Sequence, residues 1–341
     1  MVIVSSIRKL DMLKRFADSE FADDCWIIVL DENDDRLRAI NRKLIPSATF
    51  YGIKERKAWL KDWRDVFNIP EKVIPKKAHN ELSFGLMLSR GHALQNTIFL
   101  DDDCDLLAPS FLRYHLMQLG DKARLHCLRS PKYEVRWVSV GQNFYGRGHP
   151  YCQRVPLIDD ICYKDGHVVL NQGLWTGIPD MNALDKIIET PIPKYRGYSF
   201  SVAPDCYTTI CSMNLAFDNK IIPAFYQLTQ GVCYNRLDDI WSGLFLKKIT
   251  DHLNDTITTG YPLVDHKQYP RDLFKDYTAE MGSLFKINEL LWKDLNEIQL
   301  NGKNYTACYL ELAIALKKKL KRYDNKIVNE MCDMMQLWAR M

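Results

Sequence analysis

The stretch IFLDDDCDLL, residues 98–107, carries the clearest information about the fold of this chain. An apolar run of β-strand type leads directly into four carboxylates within five residues. Such a density of negative charge is unfavourable unless a cation or hydrogen-bond donors offset it. Hard oxygen ligands suit magnesium or manganese, which use one or two carboxylates together with the phosphates of a substrate. A solvated acidic turn is the alternative, but the preceding apolar strand favours a functional site.

A second apolar run, residues 26–30, ends in the same way at Asp31. Strand and helix patterns alternate over this N-terminal third, where Leu82, Leu86 and Leu88 indicate one face of a helix. The alternation predicts an α/β fold with a mostly parallel sheet covered by helices. Because open α/β sheets bind ligands at the carboxyl ends of their strands, we expect the acids after both runs to lie at a ligand site.

The rest of the chain divides into stretches of different character. Residues 129–207 are rich in proline, glycine and aromatic residues without clear periodicity, which predicts long functional loops. Helical spacing returns over residues 239–253, and residues 256–258 form a candidate edge strand. Residues 276–341 have helical spacing throughout. We therefore expect a catalytic domain over residues 1–275 and a helical C-terminal extension packed on it.

The composition of the 341 residues is that of an ordinary globular chain, with 47% hydrophobic residues and a formal net charge of +3. So small a positive surplus excludes nucleic acid as the main partner. No apolar stretch approaches the roughly 18 to 20 residues of a membrane helix, and no signal-peptide pattern is present, so we expect no membrane partner and a cytoplasmic protein. The ten cysteines include no Cys-x-x-Cys pair, which excludes zinc-ribbon sites and predicts reduced, buried thiols.

Two further groups could carry chemistry. Asp238 and Asp239 precede a helix pattern, where acids either stabilise the helix N-terminus or act as catalytic groups. His266 is a candidate metal ligand if the fold brings it to the aspartates, and otherwise a structural histidine. P-loop, dinucleotide and nucleophile-elbow motifs are absent. Acids at a sheet edge, with loops rich in arginine, tyrosine and histidine, suit a nucleotide-diphosphate ligand.

Several segments keep one order along nearly the whole chain: Ser6-Ile7-Arg8, Asp101-Asp102-Asp103-Cys104, Arg147-Gly148-His149-Pro150-Tyr151 with Arg154, Gly173-Leu174-Trp175, Asp238-Asp239 and His266. These segments resemble the plant reversibly glycosylated polypeptides, also called UDP-arabinopyranose mutases. The resemblance implies a GT-A-like glycosyltransferase fold with a Rossmann-like nucleotide-binding sheet. The nucleotide-binding residues that it implies are Ile7, Arg8, Asp31, Arg90, Asp101 and Asp102. The divalent metal, manganese or magnesium, would be held by Asp101, Asp103 and His266.

The resemblance also implies a reaction, the metal-dependent interconversion of the pyranose and furanose forms of a UDP-sugar. Arg147 matches the reversibly glycosylated position, Arg154 could hold phosphate, and Asp238 with Asp239 would lie near the sugar as catalytic groups. The same residues would serve a metal-dependent glycosyltransferase that passes the sugar to itself or to an acceptor, and this alternative stays open. A non-catalytic subunit of a hetero-oligomer is a further alternative. We expect a UDP-sugar as the substrate and a homo-oligomer as the assembly.

Overall fold

The structure, a computed structural model, describes residues 1–17, 25–32, 34–63, 73–74, 81–132, 134–155, 160–228, 236–323 and 325–341. Within them the strands are β1 (Val2–Ser6), β2 (Ile27–Asp31), β3 (Thr49–Tyr51), β4 (Asn96–Asp101), β5 (Cys104–Leu106), β6 (Gly120–Arg129), β7 (Asp160–Gly177), β8 (Phe200–Val202), β9 (Asn214–Asp218) and β10 (Asp255–His266). The α-helices are α1 (Met12–Ala17), α2 (Asp35–Leu44), α3 (Ile53–Asp62), α4 (Leu82–Gly91), α5 (Phe111–Gln118), α6 (Ala183–Ile188), α7 (Asp238–His252), α8 (Leu273–Ser283), α9 (Glu289–Asn296), α10 (Tyr305–Lys319) and α11 (Asn325–Ala339).

The described strands form one sheet in the order β3-β2-β1-β4-β9-β7-β6-β8-β10-β5, and β7 also pairs with β10. Strands β3, β2, β1 and β4 are parallel to one another. Their register pairs Ser6 with Asp31 on one side of β1 and Ser5 with Asp101 on the other. The expected α/β class is confirmed, and the acids that end β2 and β4 lie at the same edge of the sheet.

The expectation of a mostly parallel sheet is wrong for the second half of the chain. Strand β9 is antiparallel to both β4 and β7, β6 is antiparallel to β7, and β10 is antiparallel to both β5 and β8. Only five of the ten pairings between described strands are parallel. The regular alternation of strand and helix stops after α5, and antiparallel neighbours need no helical crossover.

Two segments predicted as irregular or marginal contain long strands. Residues 129–207 include the 18-residue strand β7, whose first half is largely exposed and whose second half is buried. Neither half shows the apolar and polar alternation of a half-buried strand, so the sequence pattern hides it. Residues 256–258 belong to the 12-residue strand β10, which lies inside the sheet and is not an edge strand. Its buried threonines look polar in sequence, yet Thr258 donates a hydrogen bond to Asn171 Oδ1 at 2.9 Å.

The helices expected around residues 82–88 and 239–253 are confirmed as α4 and α7. The C-terminal region is helical as expected, and the expected boundary after residue 275 falls inside α8. Trp338 of α11 donates to the carbonyl oxygen of Ile222 at 2.8 Å and stacks on Tyr226 with ring centroids 5.2 Å apart. One large apolar core cluster therefore contains residues from Val2 to Ala339.

The cysteines of the described residues fall into a buried group and an exposed group. Cys104, Cys127, Cys206, Cys211, Cys308 and Cys332 are free and buried, as expected of small apolar side chains. Cys152 and Cys162 are free and exposed.

In the part of the chain that the structure describes, no helix is long and apolar enough to cross a membrane.

Candidate active site

A cavity of about 380 Å³ lies where β4 ends, with a wall that is mostly charged. It brings together six residues predicted from the sequence: Asp101, Asp103, Arg147, Asp238, Asp239 and His266. It also contains charged residues to which sequence reasoning assigned no role: Asp180, Arg236, Arg271, Lys275 and Asp276. A cavity with this lining suits a charged, polar ligand.

Arg147 is held between two carboxylates. Its Nη1 and Nη2 donate to Oδ1 and Oδ2 of Asp239 at 3.0 and 2.8 Å, and its Nε donates to the two oxygens of Asp180 at 3.1 and 3.0 Å. Nη1 also donates to the carbonyl oxygen of Arg236. The side chain of Arg147 is only 11% exposed. Burial lowers the pKa of Arg147, but the two carboxylates outweigh burial and hold the pKa well above its ordinary value, so the guanidinium stays charged.

Local backbone structure positions both carboxylates. The N–H of Arg147 donates to the carbonyl oxygen of Asp180 at 2.9 Å, which ties the two loops together. Asp239 is the second residue of α7, and its Oδ1 accepts from the N–H of Ile240 at 2.9 Å. Asp238 is the first residue of the same helix and is also buried. The acidic pair therefore occupies a helix N-terminus, where the helix dipole favours negative charge, and lines the cavity as well.

Strands β5 and β10 bring Asp103 and His266 together. Their register pairs His266 with Cys104, and His266 Nε2 lies 3.7 Å from Asp103 Oδ2. His266 Nδ1 lies 2.6 Å from the carbonyl oxygen of Ile178 and donates to it, which leaves Nε2 as the ring nitrogen that faces Asp103. A carboxylate facing an imidazole, with Asp101 on the same wall, fits part of the coordination sphere of manganese or magnesium.

The Asp103 and His266 side chains stabilise each other's charge. Burial lowers the pKa of His266, but Asp103 outweighs it and the pKa lies above its ordinary value. Burial raises the pKa of Asp103, but His266 outweighs it and the pKa lies below its ordinary value. Among the described residues, no group of three or more His, Cys, Asp or Glu side chains is arranged to hold a metal ion alone. Water or phosphate oxygens would have to complete any coordination sphere here.

The loop after β1 is fixed by Asp102. The N–H of Ile7 donates to Asp102 Oδ2 at 3.2 Å, and Arg8 Nη1 donates to Asp102 Oδ1 at 2.5 Å. The Arg8 guanidinium also lies 4.2 Å from the ring centre of Tyr269, and its Nη1 lies 3.9 Å from Asp103 Oδ2. The structure therefore brings Ile7, Arg8 and Asp102 together beside the acidic wall of the cavity.

Asp31 is one partner of a buried ion pair. Its two oxygens accept from Nε and Nη2 of Arg38 at 2.8 and 2.6 Å. Arg38 Nη1 also donates to Glu55 at 2.8 Å, and this hydrogen bond outweighs burial and lowers the pKa of Glu55 to about 2. Asp31 and Arg38 are both buried. A nucleotide at this edge would therefore meet an Asp31–Arg38 pair, and sequence reasoning missed the arginine.

Two of the predicted residues lie elsewhere. Arg154 donates to both oxygens of Asp185 at 2.8 and 2.6 Å and stacks on Tyr151, with its guanidinium carbon 3.8 Å from the ring centre. It lines a different cavity from the one that contains Arg147. Arg90 is in the last turn of α4, beside Ser89, whose hydroxyl contacts Met1. Since Met1 precedes β1, Arg90 lies at the opposite edge of the sheet from the acids.

Helix α8 and the residues before it supply charges that sequence reasoning missed. Arg271 Nε lies 2.8 Å from Asp276 Oδ2, and Arg236 Nε lies 3.0 Å from Glu280 Oε1. Lys275 lines the cavity and is exposed. The acids at 276 and 280 are four residues apart and so share one face of the helix. That spacing is visible in the sequence and is the signal that could have located this wall.

Parallel strands that end at an acidic, arginine-lined cavity are typical of α/β proteins that bind a polar ligand at the carboxyl edge of the sheet. More particularly, the chain belongs to the reversibly glycosylated polypeptide family, whose model matches residues 140–341. The matched part includes Arg147, Asp180, Asp239 and His266.

Proteins similar to this chain have been named for a sugar-nucleotide reaction. UDP-arabinopyranose mutase 3 of Arabidopsis thaliana is 27% identical over 342 residues, which cover 95% of this chain and 85% of that protein. Probable UDP-arabinopyranose mutase 2 of Solanum tuberosum is 26% identical, with 99% and 89% covered. A solved glucosyl-3-phosphoglycerate synthase from Mycobacterium tuberculosis, in complex with Mn2+, UDP and glucosyl-3-phosphoglycerate, is 10% identical with a TM-score of 0.46, covering 85% of this chain and 78% of that one.

Proposed function

We propose that this protein is a UDP-sugar mutase that interconverts the pyranose and furanose forms of its substrate. The observation that carries the proposal is the Arg147 guanidinium, held by Asp180 and Asp239 on the wall of a charged cavity. These three residues lie in the part of the chain that matches the family. Since similar chains are named UDP-arabinopyranose mutases, a UDP-pentose is the substrate class to test first.

The nucleotide would lie along the carboxyl ends of β1, β2 and β4. The Asp31–Arg38 pair would contact the uracil, and the Ile7–Arg8 loop, fixed by Asp102, would border the ribose. The pyrophosphate would then extend toward α8. There Lys275 offers an exposed ammonium at the cavity, which suits a diphosphate.

Asp101, Asp103 and His266 would hold manganese or magnesium. When bound, such an ion supplies Lewis-acid stabilisation of the charge that develops on the departing pyrophosphate. The chain's own contribution is orientation: the Ile178 carbonyl oxygen fixes the His266 ring, and the β5–β10 pairing fixes Asp103 beside it. Arg271 and Lys275 would add positive charge on the other side of the phosphates.

Arg147 would receive the sugar. The bond between the anomeric carbon and the phosphate oxygen breaks, and its electron pair leaves with UDP. A terminal nitrogen of Arg147 loses one proton to Asp239, whose oxygens lie 2.8 and 3.0 Å from Nη2 and Nη1, and bonds to the anomeric carbon. A guanidinium is a poor nucleophile while it keeps all its protons, so the bidentate carboxylate is what makes this step feasible.

The ring form would change while the sugar is attached. The linked nitrogen gives its remaining proton to Asp238 and shares its electrons with the anomeric carbon. The ring C–O bond breaks, and the ring oxygen takes the proton that Asp239 received in the first step. A different sugar hydroxyl then attacks the same carbon and gives its proton to Asp239, while Asp238 returns its proton to the linked nitrogen. UDP recaptures the sugar by the reverse of the first step, so atoms and protons balance without another reactant.

The test is to incubate the purified protein with Mn2+ and a panel of UDP-pyranoses and UDP-furanoses, without an acceptor, and to separate the nucleotide-sugars by chromatography. We expect a new isomer that reaches the same ratio from either direction, with no turnover after removal of the metal. Arg147→Ala should be inactive. Arg129→Ala, which removes an exposed arginine paired with Asp160, should match wild type. A panel that yields only free UDP or permanently labelled protein would overturn the mutase and favour a glycosyltransferase.

A further inference from the structure

Arg236 lines the cavity with most of its hydrogen-bond donors unused. Its side chain is 14% exposed, and its Nε donates to Glu280 Oε1 at 3.0 Å. Its Nη1 lies 3.7 Å from Asp276 Oδ2, which is too long for a hydrogen bond. In the described part of the chain, no atom accepts a hydrogen bond from Nη1 or Nη2 of Arg236. The terminal N–H groups are therefore available to an anionic ligand in the cavity.

The two acids beside Arg236 are already engaged by other donors. Glu280 is 1% exposed, and its Oε2 accepts a hydrogen bond from the N–H at the start of α6 at 2.7 Å. Both oxygens of Asp276 bind Arg271, at 2.8 Å from Nε and 3.1 Å from Nη2. Lys275 lines the same wall, so the α8 side of the cavity contributes three cations against these two acids. This surplus of positive charge suits a phosphate group.

The main chain of Arg236 holds Arg147. The carbonyl oxygen of Arg236 accepts a hydrogen bond from Nη1 of Arg147, and the other N–H of Nη1 donates to Asp239. Arg236 has φ of +89°, in a region that residues other than glycine rarely adopt. Such a conformation persists where surrounding contacts enforce it. Here it directs the carbonyl oxygen to Arg147 while the side chain reaches Glu280.

We propose that Arg236 binds the terminal phosphate of UDP through Nη1 and Nη2 and holds the Arg147 nucleophile through its main-chain carbonyl. The inference rests on the proposed function, in which the bond between the anomeric carbon and that phosphate breaks. A guanidinium places two parallel N–H groups on two phosphate oxygens, and its attraction grows as the departing phosphate gains negative charge. One residue thereby fixes both the nucleophile and the leaving group of the first step.

Two nucleotides that differ by one phosphate test the side chain. Arg236→Gln removes the terminal nitrogens, but its amide nitrogen occupies the position of Nε and keeps a donor for Glu280. In calorimetry with Mn2+, we expect this variant to bind UDP about tenfold or more weakly and UMP within about twofold of wild type, because UMP lacks the terminal phosphate. Arg129→Gln, at the exposed arginine paired with Asp160, should match wild type for both nucleotides. Equal losses for UDP and UMP, or no loss for UDP, would overturn the proposal.

A second pair of variants tests the main chain. Arg236→Gly and Arg236→Val both remove the guanidinium, but glycine readily adopts φ of +89° and a β-branched residue does not. We expect both variants to bind UDP equally, which shows that their nucleotide site is intact. Sugar loading onto Arg147, followed by mass spectrometry, should be about tenfold or more slower in Arg236→Val than in Arg236→Gly. Equal loading rates would overturn the main-chain role.

The wild-type protein separates this inference from the proposed function. If wild type binds UDP but loads no sugar, the proposed function fails and the main-chain role of Arg236 fails with it. The UDP and UMP affinities then decide on the side chain alone. If wild type binds no UDP, the proposed function and the phosphate-binding role of Arg236 are both overturned.

Discussion

Arg147 is buried between Asp180 and Asp239 and also lines a cavity. A buried ion pair is weak evidence of a stabilising role, since apolar replacements often serve stability as well. A cation kept charged by two carboxylates at a ligand cavity is better explained by chemistry on that ligand. In our account the carboxylates hold the guanidinium in place and take its protons.

The substitution Asp239→Asn tests whether Asp239 takes a proton from Arg147. The variant keeps the shape of the side chain but cannot accept a proton from Arg147, so we expect turnover to fall by about a hundredfold or more. The affinity for UDP should be unchanged, because Asp239 is not part of the nucleotide site. Asp185→Asn is the matched control, since it alters the bidentate arginine pair formed by Arg154. Equal losses in both variants would contradict a chemical role for Asp239.

His115 provides a second test at the residue scale, on stability. It is fully buried, its Nε2 lies 2.7 Å from Asn214 Oδ1, and burial, only partly opposed by Asn214, lowers its pKa to about 4. The unfolded chain, with a pKa near 6.5, binds the proton more tightly, so acid favours unfolding. Between pH 6 and 5 we expect His115→Gln to lose about 1.2 kcal/mol less unfolding free energy than wild type. Denaturant titrations measure the unfolding free energy at each pH. The same pH dependence in wild type and His115→Gln would contradict this prediction.

Sequence reasoning found the acids of the site better than their partners. Asp101, Asp103 and Asp239 lie in conspicuous acidic runs, and the cavity brings them together. Asp180 belongs to no such run and acquires its setting only when its loop meets the loop that carries Arg147. Long-range charge pairing of this kind has no periodic signature, so it is invisible before the fold is known.

At the scale of elements, the approach of the Arg147 loop to α7 depends on a glycine. Gly148 has φ of +83°, and a Cβ there would lie 2.6 Å from Cγ2 of Ile240. Ile240 follows Asp239 in α7. A side chain at 148 would therefore push the helix that carries Asp239 away from the loop that carries Arg147.

Gly148→Ala should accordingly harm both stability and activity. We expect a loss of about 1 to 3 kcal/mol in unfolding free energy from backbone strain and overpacking, together with a clear fall in turnover. Gly197→Ala is the control, since a Cβ at 197 meets no atom within 4 Å. Chemical unfolding and the chromatographic assay measure the two effects. If Gly148→Ala and Gly197→Ala had the same stability and the same turnover, the Arg147 loop and α7 would not need this close contact.

Element predictions succeeded where periodicity reflects burial. The buried runs before Asp31 and Asp101 and the helix α4 follow directly from apolar spacing. Strand β7 was not predicted because its two halves differ in exposure, and the extent of β10 was not predicted because it buries threonines. Pairing direction in the second half of the sheet could not follow from the early strand and helix alternation, because it depends on connections without helices.

At the scale of the whole molecule, the C-terminal helices share the core of the sheet. The Trp338 indole bonds to the Ile222 carbonyl and stacks on Tyr226, so α11 is anchored on the residues that follow β9. We expect Trp338→Ala to cost about 3 to 5 kcal/mol and to lower the whole unfolding transition as one step. Met117→Ala, at an exposed site, should be nearly neutral. A separate early transition for the helical region would contradict a shared core.

The central claim is that Arg147 carries the sugar between its two ring forms. The most direct measurement is to load the protein with an isotopically labelled UDP-pyranose, map the label by peptide mass spectrometry, and then add unlabelled UDP and identify the released nucleotide-sugar. We predict that the label lies on Arg147 and that UDP releases it as a mixture of pyranose and furanose forms. Label on another residue, or label at Arg147 that UDP releases only as the original pyranose, would contradict the account.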